Sequence, residues 1–195
     1  MRSIRFIWNL LAVIGLLAVV AGLVAFLEVR ETLSAFDPKA VATYREIADK
    51  LIETGDIAEA TVWKAKVKDG LSFDDVDQAI KSVATTMNIK DVGELPLGDQ
   101  VSAMQGSPWR KLKIYLYCNP LTAAHMVDYS DAFAAYLPCR IALLEDKTGK
   151  LWIYTMNMDM MIYGGKPLPP GLKAEAEQVK KIIQTALDKA ATGDF

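Results

Sequence analysis

The sequence has few of the residues from which metal and nucleophilic sites are usually built: two cysteines and one histidine among 195 residues. Two cysteines cannot form a disulfide-dense scaffold, and they cannot supply the four thiolates of a closed zinc site. No Cys-x-x-Cys-His segment occurs, which excludes covalent c-type haem. Basic residues show no excess either, at 22 against 24 acidic residues, so the charge does not favour a nucleic-acid partner.

Apolar residues are abundant, and one run of them lies near the N-terminus. Residues 6–27 contain Asn9 as their only polar side chain. At ~1.5 Å of rise per residue, a helix of this length spans ~30 Å, the hydrocarbon thickness of a bilayer. We therefore predict a transmembrane helix that acts as an uncleaved signal anchor. The alternative is a signal peptide cleaved after Ala21, but the run is longer than the ~7–15 apolar residues of such peptides.

The charges beside this run predict its orientation. Arg2 and Arg5 precede it, and Glu28 and Glu31 follow it, so the positive-inside rule keeps residues 1–5 in the cytoplasm and exports the rest. In a bacterial cell the chain is then a single-pass inner-membrane protein with its C-terminal domain in the periplasm. The exported part carries 20 basic and 24 acidic residues, a net charge of −4, which opposes docking on anionic lipid.

The remaining sequence divides into a helical connector over 28–57 and a domain over 58–195. Asp37-Pro38 and the apolar spacing that follows predict a helix over 38–54. A strand with one lysine-covered face is predicted over 61–67, and a capping box at Ser72 predicts a helix over 73–88. Glycine and proline punctuate residues 89–109, which we interpret as a long loop with one short strand.

The second half of the domain shows three clear strand patterns. Residues 112–118 alternate, with the face ending in Cys118 expected inward, and 139–145 and 151–157 form a predicted hairpin. A helical stretch begins at Asn119-Pro120, and a last helix is predicted over 172–190. This order predicts an α+β fold: a mostly antiparallel sheet with helices on one face, behind one N-terminal membrane helix.

Three segments carry a resemblance to a known family. They are Tyr117-Cys118-Asn119-Pro120, Leu137-Pro138-Cys139-Arg140 and the run Asp159-Met160-Met161-Ile162-Tyr163-Gly164-Gly165-Lys166-Pro167. Over roughly residues 58–190 the chain resembles the family known as domain of unknown function 302, in its membrane-anchored bacterial branch. The resemblance implies a compact α+β fold, often dimeric, with no established activity. It also implies an association with sulfur-compound oxidation and periplasmic electron transfer.

Cys118 and Cys139 are the first candidate site residues, because each lies at the end of an apolar strand face. If their strands are antiparallel neighbours, the two sulfurs come close together. Three outcomes are then open: a structural disulfide, two inert buried thiols, or a reactive pair. The helix start at Asn119-Pro120 favours the reactive pair, because a helix N-terminus lowers a thiol pKa and attracts a small anionic ligand.

Other candidates are a lone histidine and a methionine-rich segment. His125 is a possible base or ligand, although a hydrogen-bonded surface histidine is the commoner case. Met156, Met158 and Met160 share the even-numbered face of the last predicted strand. We interpret them first as core, second as the wall of an apolar pocket that includes Asp159, and third as copper ligands.

These features favour a non-enzymatic function without excluding an enzyme. The preferred hypothesis is a membrane-anchored periplasmic binding or accessory module, with a homodimer or a periplasmic redox protein as possible partner. The alternative is a thiol-dependent oxidoreductase or a soft-metal handling protein that uses Cys118 and Cys139. The sequence identifies no cofactor.

Overall fold

The computed structural model describes residues 2–194. Met1, in the predicted segment 1–5, and Phe195, in the predicted domain 58–195, lie outside the described residues. Its first helix, α1, spans Arg2–Ser34. Within α1, Leu11–Ser34 is long and apolar enough to cross a membrane, and none of this stretch is buried against the rest of the chain. This N-terminal helix is therefore a candidate membrane anchor.

Helices and strands alternate through the remaining chain. The helices are α2 Ala40–Thr54, α3 Ile57–Ala60, α4 Phe73–Thr86, α5 Leu97–Gln105, α6 Pro120–Tyr129, a 3₁₀ helix Asp131–Tyr136, α7 Asp159–Tyr163 and α8 Pro170–Thr192. The strands are β1 Val62–Lys66, β2 Lys90–Leu95, β3 Leu112–Cys118, β4 Cys139–Glu145 and β5 Leu151–Met156.

Local signals explain where several helices begin and end. The Ser72 hydroxyl accepts a hydrogen bond from the Asp75 N–H, and the Asp75 carboxylate accepts one from the Ser72 N–H. This capping box starts α4. α2 ends at Gly55, whose φ of 66° is in the left-handed region that favours glycine. Both predicted helices are confirmed.

The five strands form one sheet in the order β1-β5-β4-β3-β2, and every pairing is antiparallel. Tyr115 lies opposite Ile141, and Leu143 lies opposite Ile153. Together with apolar residues of α4 and α8, such as Ile80 and Ile183, these side chains form the core. The predicted α+β class, with helices on one face of an antiparallel sheet, is confirmed.

The predicted inward face of β3 is wrong. The alternation is present, but Tyr115 and Tyr117 are buried beneath the helices, while Ile114 and Leu116 lie half-buried on the opposite face. A tyrosine is accepted in this core because the Tyr115 hydroxyl donates to the Asp77 carboxylate on α4 at 2.6 Å. Ile114 therefore lies outside the core formed with α8, whereas the sequence pattern predicts that it belongs to that core.

Most of the segment 89–109 forms a strand and a helix, so its interpretation as a long loop is wrong. The short strand predicted within it is present as β2. The helix α5 follows directly. A Cβ at Gly98 would stand 2.6 Å from the Arg110 carbonyl oxygen. This glycine is therefore not a loop signal but the residue that lets α5 approach the backbone before β3.

The methionines do not continue the buried face of a strand, contrary to prediction. β5 ends at Met156, and its buried side chains are Ile153 and Thr155. The strand stops because Asn157 turns the chain: its Oδ1 accepts a hydrogen bond from the Asp159 N–H at 2.9 Å. The helix α7 begins there, so the remaining methionines belong to a helix and its approach.

Candidate functional site

Cys118 and Cys139 lie at one end of the sheet, where β3 stops and β4 starts. Tyr117 pairs with Cys139 in the antiparallel ladder, so Cys118 is one residue beyond the paired position. The two strands are neighbours and antiparallel, the arrangement on which the sequence argument depends. Both cysteines are free thiols, and both are half-buried.

The helix α6 begins beside this strand end. Asn119 caps it, since its Oδ1 accepts hydrogen bonds from the N–H groups of Leu121 at 3.2 Å and Thr122 at 3.3 Å. Pro120 occupies the first turn, where it needs no hydrogen-bond partner. Asn119 and Pro120 therefore have structural roles, and the side chain of Asn119 occupies N–H groups that an anionic ligand would use.

A small cavity lies between this strand end and the helices α6, α7 and α8. Its free volume is about 30 Å³, which holds roughly one or two atoms of water size. Asn119 and Thr122 are the polar side chains in its wall. The full lining is Cys118, Asn119, Thr122, Ala123, Met126, Phe133, Leu137, Cys139, Met158, Met161, Ala176 and Val179.

Five of these lining residues carry sulfur: Cys118, Cys139, Met126, Met158 and Met161. They come from β3, β4, α6, the approach to α7 and α7 itself. The two cysteines and Met158 are candidates from the sequence, whereas Met126 and Met161 are not. A buried methionine on α6 has no local signal that separates it from ordinary core, so only the tertiary arrangement reveals it.

Burial controls the ionisation of both thiols. It raises the pKa of Cys139 to about 11, and a smaller increase comes from the neighbouring Cys118. Burial also raises the pKa of Cys118, although the nearby positive charge of Lys90 opposes it. Both groups are therefore protonated thiols at neutral pH, which is the opposite of the activation expected from the helix start.

The family model for the domain of unknown function DUF302 matches residues 63–190. The chain belongs to the DUF302 family. Among solved structures it is similar to the crystal structure of an uncharacterized conserved DUF302 protein from Bacillus stearothermophilus. The two are 16% identical with a TM-score of 0.53, over 67% of this chain and 98% of that one. This similarity shows the shared fold. Curated proteins gave no match.

The other predicted site residues of the DUF302 domain do not line the sulfur-lined cavity. His125 is exposed, and its Nδ1 lies 2.9 Å from the Glu175 carboxylate. Asp159 forms an ion pair with Lys180. Met156 is half-buried on the sheet face opposite the helices, and Met160 borders a separate, more open cavity.

No group of three or more His, Cys, Asp or Glu side chains suited to a metal comes together within residues 2–194. Five sulfur-bearing side chains do line one small cavity, and sulfur is a soft donor.

Proposed function

We propose that this chain is a membrane-anchored binding module that holds one soft metal ion, of the Cu(I) class, in the sulfur-lined cavity. The observation that carries the proposal is the convergence of Cys118, Cys139, Met126, Met158 and Met161 on one small cavity. Thiolate and thioether sulfur are the donors that select Cu(I). The proposed setting is the bacterial inner membrane, with α1 as anchor, the N-terminus in the cytoplasm and the domain in the periplasm.

The size and polarity of the cavity support an ion rather than an organic ligand. Sites for drug-sized molecules have volumes of roughly 300–1,000 Å³, whereas the free volume here is about 30 Å³. A water molecule needs two to four polar partners, and the walls offer Asn119 and Thr122, with Asn119 already capping α6. A soft ion, by contrast, would find its preferred ligands there.

The state of the thiols favours binding over thiol catalysis. A nucleophilic cysteine works as a thiolate, and burial holds the pKa of both cysteines above its ordinary value. His125, the candidate base, contacts Glu175 instead. A metal ion displaces the thiol protons when it binds, so we expect Cu(I) affinity to rise with pH. A role in sulfur-compound oxidation or electron transfer would follow from the bound metal.

Cu(I) titration of the full chain tests this function. In detergent, under reducing anaerobic conditions and against a chromogenic Cu(I) chelator, we expect one Cu(I) per chain. The double variant Cys118→Ser, Cys139→Ser should lose this binding, and Met161→Leu should weaken it. Met104→Leu is the matched control, because Met104 is 89% exposed on α5. Equal Cu(I) uptake by wild type and the folded double variant would contradict the proposal.

A homodimer stays a prediction, and one surface of the domain supports it. The sheet face opposite α4 and α8 carries half-buried apolar side chains, among them Ile114, Leu116, Leu144 and Trp152. Contiguous apolar surface of this kind is typical of an interface between subunits. Sedimentation of the full chain in detergent, with Leu116→Glu as the disrupting variant, measures whether the chain is dimeric.

A further inference from the structure

Three aromatic side chains form a ridge on the surface of the domain: Tyr129, Phe133 and Tyr136, hereafter the aromatic ridge. They follow one another along the end of α6 and the 3₁₀ helix, with ring centroids 6.2 Å and 6.3 Å apart. Tyr129 is 43% exposed and Tyr136 is 40% exposed. Rings that are partly exposed together in this way mark a surface that contacts another phase or molecule.

The ridge faces a cavity of about 330 Å³ whose opposite wall is the loop after α7. That wall includes Gly164, Gly165 and the exposed Lys166. The same loop holds the chain that leaves the membrane helix. The Asp37 N–H donates to the Gly165 carbonyl oxygen at 2.8 Å, and the Tyr44 hydroxyl donates to the Gly164 carbonyl oxygen at 2.6 Å.

This attachment fixes the distance of the ridge from the bilayer. The apolar run ends at Leu27, and residues 28–34 continue α1. Seven residues add ~10 Å of helix, while the headgroup layer beyond the hydrocarbon is about 5–8 Å thick on each side. Asp37 then meets the loop after α7, which places this loop, and the ridge across the cavity from it, at the outer edge of the headgroup layer.

The chemistry of the ridge suits that layer. Tyrosine rings are enriched at membrane interfaces, because one end of the ring is apolar and the other forms hydrogen bonds. The Lys166 ammonium can pair with a lipid phosphate. Asp128 and Asp131 are exposed beside the ridge, so the local charge gives no attraction to anionic lipid, which favours zwitterionic headgroups.

We propose that the aromatic ridge and Lys166 rest in the phospholipid headgroup layer of the membrane that holds α1. The inference rests on the anchor of the proposed function but not on its metal. Phe133 and Met161 line both the open cavity and the sulfur-lined cavity. The contact therefore places the candidate metal site on the membrane-facing side of the domain.

Fluorescence quenching by lipid tests the contact. The full chain is reconstituted in phosphatidylcholine–phosphatidylethanolamine vesicles that contain a lipid spin-labelled near the headgroup. In Tyr136→Trp, we expect the added tryptophan emission, after subtraction of wild type, to be quenched at least threefold more than in Met104→Trp. Met104 is the control because it is 89% exposed on α5. Tyr129→Trp is a second reporter in case the first variant does not fold.

The outcomes separate the ridge from the anchor. Trp8 lies within the predicted membrane run, whereas Trp63, Trp109 and Trp152 lie in the domain. Quenching of the emission that wild type has and Trp8→Phe lacks therefore reports insertion of α1. If Trp8 is quenched while residues 136 and 129 behave like residue 104, the ridge proposal is wrong and the anchor stands. If Trp8 is not quenched, the anchor is wrong and the ridge proposal fails with it. If residues 136 and 129 are quenched solely when phosphatidylglycerol is added, the ridge binds anionic lipid, which contradicts the proposed contact with zwitterionic headgroups.

Discussion

Asp77, on α4, is the carboxylate on which the polar contacts of the helix-covered sheet face converge. It accepts hydrogen bonds from Lys113 Nζ at 2.7 Å and from the Tyr115 hydroxyl at 2.6 Å. Lys81 Nζ lies 3.0 Å from its other oxygen. Burial alone raises the pKa of Asp77, but the hydrogen bonds from Lys113, Tyr115 and Lys81 outweigh burial and hold it below its ordinary value. The ionised carboxylate therefore stabilises the fold.

We expect Asp77→Asn to lower the free energy of unfolding by about 2 kcal/mol at pH 7, because Lys81 and Lys113 are left with Glu94 as their one charged acceptor and the Tyr115 hydroxyl loses its own. The folded-state pKa lies below the unfolded value of 3.8. The stabilisation is therefore fully present above the unfolded value and is lost as pH falls through the folded value. Urea unfolding at pH 7 and at about pH 3 measures this. A difference between wild type and variant that does not shrink at the lower pH would contradict it.

The two cysteines should differ in reactivity in a defined order. Since burial sets the pKa of Cys139 at about 11, its thiolate fraction at pH 7 is ~0.01%. Cys118 is less strongly affected, so timed iodoacetamide alkylation with peptide mass spectrometry should show slow reaction at both sites at pH 7. As pH rises, Cys118 should react before Cys139. The urea-unfolded chain is the control, and fast labelling of the folded chain at pH 6 would instead favour a thiol enzyme.

At the residue scale, the sequence predicts where a residue lies along a strand better than it predicts whether its side chain is buried. That Cys118 ends one strand and Cys139 starts the next follows from alternation and from proline, both of which act locally. Which face of β3 packs against the helices does not follow from the sequence. Tyr115 is apolar enough to be buried there, because its hydroxyl donates a hydrogen bond to Asp77 on α4. Which thiols ionise depends on that burial.

At the element scale, the contact between α5 and the start of β3 depends on one glycine. A Cβ at Gly98 would lie 2.6 Å from the Arg110 carbonyl oxygen and 2.7 Å from the Leu112 nitrogen, both backbone atoms. Backbone cannot move aside as a flexible side chain can. We expect Gly98→Ala to push α5 away from the sheet and to lower the free energy of unfolding by about 1–3 kcal/mol.

Gly171→Ala is the matched control for that substitution. Gly171 lies in the first turn of α8, and a Cβ there meets nothing within 4 Å. Alanine has the higher helix propensity, so this variant should be neutral or more stable by up to ~1 kcal/mol. Urea midpoints of the two variants and wild type provide the measurement. Equal midpoints for Gly98→Ala and wild type would mean that α5 is not held closely to the strand.

Elements with strong periodicity or caps could be predicted, and those formed by tertiary contact could not. α4 carries a capping box and an apolar stripe, while β4 and β5 are joined by a turn signal, so each was found from local pattern. α5 is short and is flanked by Pro96 and Gly106, residues that also mark loops. Its stability comes from packing on β3, which no local pattern records.

At the scale of the whole molecule, the sulfur-lined cavity forms where four separate parts of the chain meet. Cys118 and Cys139 are 21 positions apart, and Met158 and Met161 follow after a complete hairpin. The antiparallel order β5-β4-β3 and the crossing of α8 bring them together. The sequence could supply the cysteine pair, but the additional sulfurs depend on a topology that alternation alone does not define.

The domain is also connected to α1, the candidate membrane helix, through Asp37. This side chain is 3% exposed and accepts hydrogen bonds from Lys173 Nζ at 2.5 Å and from the Lys39 N–H at 2.9 Å. Its own N–H donates to the Gly165 carbonyl oxygen. The chain between α1 and α2 is thus held to α8 and to the loop after α7. The aromatic ridge keeps its place at the membrane if this connection holds.

Asp37→Ala should therefore release the connection and expose it to protease. Loss of buried, charged hydrogen bonds costs about 2 kcal/mol. If the free energy of local opening falls by that amount, trypsin should cleave after Lys39 about 30-fold faster. Limited trypsin digestion of the full chain in detergent, followed by mass spectrometry, measures the rate. Asp49→Ala is the control, since Asp49 lies 3.8 Å from Arg45 in an exposed pair that contributes little. If both variants are cut at the wild-type rate, α1 and the domain are not held together through Asp37, and the ridge needs another means of staying at the bilayer.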